Sequence, residues 1–346
     1  MSLADDVAAV RTGVALTDGD VTCVRVGGGD AHQLLDRVSP RPLFARQGQM
    51  VDTLLLDDAA KPLADLYICC DEDDFLLVAE GMTGDAIVEY LRGHAAGLDV
   101  AITDLTPTHG FLGLHGPYAW ELLAEVTTPD IVGLSYLSFF HSGGLTCFRG
   151  GKTGEFGYDL MIERAQLAAA RAQLVSIGAR LELREISLAA LELCQLEAGF
   201  FNVRREVRDG ITPAELQLLW RTSSDRAYPG SAALAERRAT PHPRIALIVG
   251  DEEFATDASI TLDEEPVGGV LHAGKSYTRG GYIGVALLDR VVSHAGLVGF
   301  RAGAAAVRTV SSPAVNNRSL FVDPQRHTWA TRDQATFPPL VRPHWS

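Results

Sequence analysis

The stretch Val21-Thr22-Cys23-Val24-Arg25-Val26-Gly27-Gly28-Gly29-Asp30-Ala31-His32-Gln33-Leu34-Leu35-Asp36-Arg37-Val38 predicts a strand, a turn and a helix in succession. β-Branched residues dominate its first six positions, and three glycines end the strand. Asp30 stands where a helix N-cap is expected. The apolar residues that follow have helical spacing, at Ala31, Leu34, Leu35 and Val38.

The same pattern returns later in the chain. Its apolar spacing recurs at Ala119, Leu122, Leu123 and Val126. The segment 158–162 (Tyr-Asp-Leu-Met-Ile) echoes the segment 64–68 (Ala-Asp-Leu-Tyr-Ile), and a helical pattern closes each cycle, at 83–91 and at 165–177. An internal duplication explains these echoes economically, so we expect two related α+β (ferredoxin-like) units. Their shared interface is a favoured place for a ligand cleft.

Near residue 240 the sequence pattern changes from helical segments to short strands. Helical patterns cover 186–198 and 213–220, the second beginning with Pro213. Short strand patterns follow at 245–249, 259–262, 267–271, 282–288 and 297–300. We therefore expect residues 1–240 to form two intertwined α+β units, the second at roughly 46–108, and residues 241–346 to form a separate all-β domain.

Composition narrows the function classes. The 346 residues carry 30 Lys and Arg against 44 Asp and Glu, a net charge of −14 that disfavours binding to nucleic acid or to an anionic membrane. No apolar stretch approaches the ~20 residues that span a bilayer. No secretory signal is visible, and the five cysteines are scattered. These features predict a reduced, cytoplasmic protein.

Common nucleotide and metal motifs are absent. The segment Gly150–Gly157 contains Gly-Lys-Thr, but Thr146 stands where a phosphate-binding loop needs glycine. The ten histidines do not cluster at metal-ligand spacings, so no metal site is expected.

Six segments together resemble the glycine cleavage T-protein (aminomethyltransferase) family, in the family's order and over nearly the whole chain. They are Val10-Arg11-Thr12-Gly13-Val14, Leu114-His115-Gly116-Pro117, Lys152-Thr153-Gly154-Glu155-Phe156-Gly157-Tyr158-Asp159-Leu160, Leu196-Glu197-Ala198-Gly199, Ile211-Thr212-Pro213 with Trp220, and Gly268-Gly269-Val270 through Leu287. The resemblance implies two α+β units and a C-terminal β-barrel arranged around a central hole that binds tetrahydrofolate.

The resemblance also implies roles for particular residues. Glu155 matches the position that holds the pterin, whose amino group and ring N–H one carboxylate can bind together. Asp65 matches the catalytic acid beside the folate nitrogens. On the residues alone, the favoured interpretation is a solvated turn residue for Glu155 and a solvated strand residue for Asp65. Three aromatic residues complete the predicted cofactor contacts: Tyr158, Trp220 and Tyr228.

Departures from the family pattern point to a changed second substrate. Lys152 stands where the family has Tyr, and Glu80 stands where it has Asn. Leu191 and Gln195 replace two arginines whose guanidinium fork they cannot mimic. Lys152 and Glu80 are therefore predicted to contact the substrate, and a lipoyl carrier protein is a doubtful partner.

The predicted function is a one-carbon (methyl or methylene) transfer between a small molecule and tetrahydrofolate, or its 5-methyl or 5,10-methylene form. Two alternatives stay open. One is the aminomethyltransferase of the glycine cleavage system. The other is a non-catalytic folate-binding protein like the iron–sulfur maintenance relatives, whose cysteine-containing segment corresponds to Asn202–Glu206, which has no Cys.

Overall fold

The computed structural model describes residues 2–341, which form one mixed sheet, one antiparallel sheet and a closed barrel. The α-helices are α1 (Leu3–Thr12), α2 (Ala31–Val38), α3 (Gly84–His94), α4 (Ala119–Val126), α5 (Arg164–Gly178), α6 (Leu188–Ala198), α7 (Val203–Glu206) and α8 (Ser231–Ala239). The strands are β1 (Ala15–Asp18), β2 (Thr22–Gly27), β3 (Met50–Leu56), β4 (Pro62–Cys70), β5 (Phe75–Glu80), β6 (Ala101–Asp104), β7 (His109–His115), β8 (Ser138–Ser142), β9 (Leu145–Gly150), β10 (Gly157–Glu163), β11 (Arg184–Glu185), β12 (Arg244–Gly250), β13 (Ser259–Leu262), β14 (Glu265–Lys275), β15 (Tyr282–Leu288), β16 (Phe300–Ala302) and β17 (Ala305–Val310).

The two open sheets share one topology. The first sheet has the order β11-β1-β7-β10-β9-β8, and the second has the order β3-β4-β5-β2-β6. In each, a strand and a helix are followed by three strands, a helix and a final strand. β1 is added to the first sheet between β7 and β11. The prediction of two related α+β units is confirmed.

One of the two sequence echoes pairs strands that are not equivalent. Asp65 lies on β4, the second of the three consecutive strands in its unit, whereas Asp159 lies on β10, the third in its own. Both strands are central and largely buried, and this shared burial explains their similar apolar patterns.

The C-terminal strands form the predicted barrel, closed in the order β12-β15-β14-β13-β16-β17. The prediction of a strand at 297–300 is wrong, because β16 begins only at Phe300. Gly296 and Gly299 both have positive φ, and the N–H of Leu297 binds the hydroxyl of Thr309 instead of a ladder partner. β17 was not expected from the sequence.

The prediction of a helix at 213–220 is also wrong. This segment forms turns that end in a 3₁₀ helix, Leu219–Arg221. The Glu215 carboxylate accepts hydrogen bonds from the N–H and hydroxyl of Thr212, and Gln217 has a φ of 55°. A residue in the left-handed region ends a helix, so the propensity of the segment is overridden.

Beyond β17 the chain returns to the first sheet. The N–H of Phe156 donates to the Ser319 hydroxyl, and Trp329 packs edge-on against Tyr118, with ring centroids 5.5 Å apart. The division of the chain into domains near residue 240 stays a prediction. No helix within residues 2–341 has both the length and the apolar character needed to cross a bilayer.

Candidate functional site

Two cavities meet at the centre of the molecule. The acidic cavity has a volume of about 140 Å³ and is bordered by strands of both sheets. Its acidic lining residues include Asp18, Asp20, Glu80, Asp159 and Glu192. The aromatic cavity, about 730 Å³, lies between the sheets and the barrel and is lined by Tyr67, Tyr136, Phe200, Phe201 and Trp220. Three residues belong to the walls of both: Asp65, Tyr67 and Lys152.

A cluster of charged side chains stands at this junction. Asp65 on β4 pairs in register with Glu80 on β5, so the two carboxylates leave the same face of the second sheet. The ammonium of Lys152 lies 2.8 Å from Asp65 Oδ2 and 2.9 Å from Glu80 Oε2. Arg221 donates from Nη2 to Asp65 Oδ1 at 2.6 Å, and the same nitrogen binds Asp52. The cluster ties both sheets to the segment before the barrel.

The two cations keep Asp65 ionised. Burial alone would raise the pKa of Asp65, but the ion pairs with Lys152 and Arg221 outweigh it and hold the pKa below the usual range. Burial likewise opposes the charge on Lys152, yet Asp65 and Glu80 raise its pKa. Asp52 shows the opposite balance, since burial raises its pKa to about 6 despite Arg221.

Asp159 faces the acidic cavity with its carboxylate uncommitted. Within residues 2–341 it makes no side-chain hydrogen bond or ion pair, although it lines the cavity wall. Burial and the nearby Glu80 raise its pKa to about 7. Sequence reasoning did not select Asp159 as a site residue, although its segment was noticed as the echo of the segment around Asp65. An unpaired acceptor in a cavity is what a ligand with N–H donors requires.

Glu155, by contrast, is fully engaged by the chain itself. Its carboxylate accepts the N–H of Arg318 at 3.0 Å and both the N–H and the hydroxyl of Ser319, at 2.8 and 2.7 Å. Arg11 lies 3.6 Å away, and Glu155 lines neither cavity. Its predicted pterin-binding role stays a prediction, and these contacts favour a structural role.

Arg11 connects three parts of the molecule. From α1 its Nη2 pairs with Glu197 of α6 at 2.9 Å, and its Nη1 donates to the Thr153 carbonyl at 2.6 Å. Glu197 in turn accepts the hydroxyls of Ser276 and Thr278, which follow β14 of the barrel. All the charges of this network are buried, so each depends on the others for neutralisation.

Comparison with known proteins identifies the scaffold. A family model described as the GCVT N-terminal domain matches residues 1–226. This chain belongs to that family. Its similarity to curated relatives extends further along the chain, to an aminomethyltransferase of Thermotoga petrophila with 24% identity over 300 residues, covering 84% of this chain and 82% of the relative. An aminomethyltransferase of Bacillus cereus is 26% identical over 303 residues, covering 83% and 82%.

The fold of this GCVT-family chain also matches a solved structure. Aminomethyltransferase T of the glycine cleavage system from Bartonella henselae superposes with a TM-score of 0.80 at 21% identity, covering 93% of this chain and 90% of that one. The resemblance inferred from the six segments and the predicted α+β and barrel architecture are both confirmed.

The two departures from the family pattern that were predicted to contact substrate lie against each other. Lys152 and Glu80 form one ion pair beside Asp65, so a positive and a negative side chain appear together. Each charge is neutralised by the other, which a single replacement could not achieve in a buried site. Their contact with substrate stays a prediction.

The predicted aromatic contacts separate in the structure. Tyr158 and Tyr228 are buried and line neither cavity. Trp220 is 66% exposed and forms part of the aromatic cavity. Tyr67 and Tyr136 also line this cavity and were not selected from the sequence. Their segments gave no signal, because strand and loop tyrosines usually only pack.

The burial of His115 is expected to make the free energy of unfolding of this GCVT-family chain depend on pH. Both ring nitrogens are buried without a hydrogen-bond partner, and burial lowers the pKa from 6.5 to about 4. Between about pH 6.5 and pH 4 the unfolded chain therefore binds a proton at His115 that the folded chain does not bind. The free energy of unfolding falls as pH falls through this range, by about 3 kcal/mol in total. We expect His115→Gln to remove this component.

Urea unfolding of wild type and His115→Gln at about pH 7 and about pH 4 measures the difference. The variant should lose less free energy of unfolding between the two conditions than wild type does. Equal losses in the two proteins would show that His115 is not held neutral.

Within residues 2–341, no group of three or more His, Cys, Asp or Glu is arranged to hold a metal ion.

Proposed function

We propose that this protein is a tetrahydrofolate-dependent transferase that moves a one-carbon unit between the cofactor and a small-molecule substrate. The observation that carries the proposal is the position of Asp65, in the walls of two adjoining cavities. Transfer between two ligands requires a point at which both meet, and a buried carboxylate there can act on either of them. Membership of the GCVT family supports a folate-dependent reaction.

The acidic cavity fits the pterin end of the cofactor. A pterin presents an amino group and a ring N–H side by side, and Asp159 offers a carboxylate with two uncommitted oxygens. Burial and Glu80 raise the pKa of Asp159 to about 7, and two N–H donors from a ligand would stabilise its ionised form. Asp159 is thus the better candidate for the pterin-binding carboxylate than Glu155. When bound, the cofactor supplies the nitrogen atoms that carry or accept the carbon.

Asp65 acts through its charge in this proposal. A carboxylate held ionised by Lys152 and Arg221 is a weak proton acceptor, since its pKa is below the usual range. It can stabilise positive charge that develops on a nitrogen during carbon transfer. Its burial strengthens this interaction, because little water screens its charge.

The aromatic cavity suits the second substrate. Its volume of about 730 Å³ lies within the range of about 300–1,000 Å³ of small-molecule sites. Leu191 and Gln195, where the family has arginines, line the adjoining acidic cavity and leave fewer fixed cations there for an acidic partner. Gln195 instead donates to the Phe201 carbonyl at 2.6 Å, so it serves the local structure. These features favour a small molecule over a lipoyl carrier protein.

Calorimetric titration tests the cofactor site. Anaerobic titrations with tetrahydrofolate and 5-methyltetrahydrofolate should show binding to wild type and at least a tenfold loss of affinity in Asp159→Asn, which removes a charged acceptor. Glu155→Gln is the matched carboxylate control and should bind as wild type does, provided that it melts cooperatively. Loss in Glu155→Gln with binding retained in Asp159→Asn would return the pterin to Glu155. No binding by wild type would refute folate dependence.

The glycine cleavage alternative rests on the names of the relatives. It predicts glycine-dependent transfer from an aminomethylated lipoyl carrier protein to tetrahydrofolate. Activity in that assay at rates typical of enzymes, on the order of 1 per second or more, would replace the small-molecule proposal.

A further inference from the structure

Glu206 is a second buried acid of the aromatic cavity. It ends α7, which packs on β4 beside Asp65, and only 2% of its surface is exposed. One carboxyl oxygen accepts the N–H of Asn202 at 3.1 Å. The residue lines the aromatic cavity together with Asp65 and Lys152. Over residues 2–341 no other hydrogen bond or ion pair of its side chain is found, so the second oxygen is available to a ligand.

The charges around Glu206 leave it without a cation. Lys152 is shared by Asp65 and Glu80, and Arg221 is shared by Asp52 and Asp65. These side chains present more negative than positive charge towards the cavity. Burial raises the pKa of Glu206 to about 8, and Asp65 adds to the rise while Lys152 opposes it.

The other strand packed on α7 does not change this balance. His272 of β14 lies in the field of Arg205, Arg208 and Glu192, and burial lowers its pKa. A neutral His272 brings no compensating charge to Glu206. The carboxyl group is therefore protonated at neutral pH, in contrast to the ionised Asp65 on the adjacent strand.

We propose that Glu206 is the proton donor to the second substrate. This inference rests on the proposed one-carbon transfer. As the bond between the migrating carbon and a heteroatom of the substrate breaks, its electron pair stays on that heteroatom, which takes the proton from the cavity-facing oxygen of Glu206. The amine nitrogen that receives the carbon releases one proton to solvent, and Glu206 regains one from solvent. Nothing is oxidised or reduced, and in the reverse direction the Glu206 carboxylate accepts the proton.

Infrared spectroscopy of the ligand-free, full-length protein tests the protonation state directly. With ¹³C-labelled glutamate, wild type should show a carboxylic C=O band that disappears as pH rises through about 8. Glu206→Gln should lack this band. Glu121→Gln is the control, since Glu121 is a partly buried glutamate that pairs with Arg180 at 3.1 Å, and the band should survive there. Identical spectra for wild type and Glu206→Gln would overturn the proposal.

Kinetics separate a proton donor from a structural residue. Glutamine keeps a neutral group of the same shape but has no proton to give, so Glu206→Gln should lower kcat by about 10²- to 10⁴-fold with little change in KM and abolish the alkaline limb of the pH profile. Glu206→Asp should restore part of kcat. An unchanged kcat in Glu206→Gln would overturn the proposal. The infrared result needs no cofactor, so it is independent of the calorimetric test of folate binding.

Discussion

Replacing Arg11 by methionine is expected to lower the free energy of unfolding by about 3–5 kcal/mol, because it leaves two buried carboxylates without their cation. Glu155 and Glu197 both face Arg11, and their side chains are inaccessible to solvent. Hydrogen bonds from Ser319 and Thr278 satisfy some of their oxygens but supply no positive charge. Urea unfolding at neutral pH measures the loss.

Arg205→Met provides the matched control for this loss. Arg205 pairs with Glu192 at 2.8 Å, but about half of its side chain is exposed, so its removal should cost less than about 1 kcal/mol. Methionine retains much of the apolar stem in both variants. If the two variants lost the same small amount, the Arg11 network would be contributing no more than a surface ion pair.

Lys152→Met is expected to make the stability of the protein strongly dependent on pH. The substitution leaves Asp65 to Arg221 alone and Glu80 without a cation, so the folded-state pKa of the buried Asp65 should rise. The folded variant then holds a proton that the unfolded chain releases above its ordinary pKa. Stability relative to wild type should therefore fall as pH rises, by about 3–5 kcal/mol at about pH 8 and by much less at about pH 5.

A double-mutant cycle with Asp65→Asn identifies the cause. Lys152→Met combined with Asp65→Asn removes a positive and a negative charge together, so most of the loss at about pH 8 should be recovered. Unfolding of the four proteins at both pH values completes the cycle. A loss that did not vary with pH would indicate a packing defect at residue 152 in place of unpaired carboxylates.

Local sequence patterns were sufficient for most elements of the fold. The helix α2 and the barrel strands β12, β13 and β15 lie where the sequence pattern predicts them, since burial of one face imposes the period. The pattern was not sufficient at 213–220, where the side chain of Glu215 binds Thr212 and a positive φ at Gln217 ends the helical turn. A side chain that competes for backbone donors leaves no trace in apolar periodicity.

For the candidate site, too, the sequence determined some features and the tertiary structure decided others. The sequence by itself determined the family, the two related units with their barrel, and the presence of acids in the segments around Asp65 and Glu155. Tertiary structure alone decided how each acid is paired, because its partners come from far along the chain. Arg221 reaches Asp65 across 156 positions, and Arg318 reaches Glu155 across 163. The chain itself supplies donors to the Glu155 carboxylate, whereas within residues 2–341 it supplies none to that of Asp159, which favours Asp159 as the acid with acceptors left for a ligand.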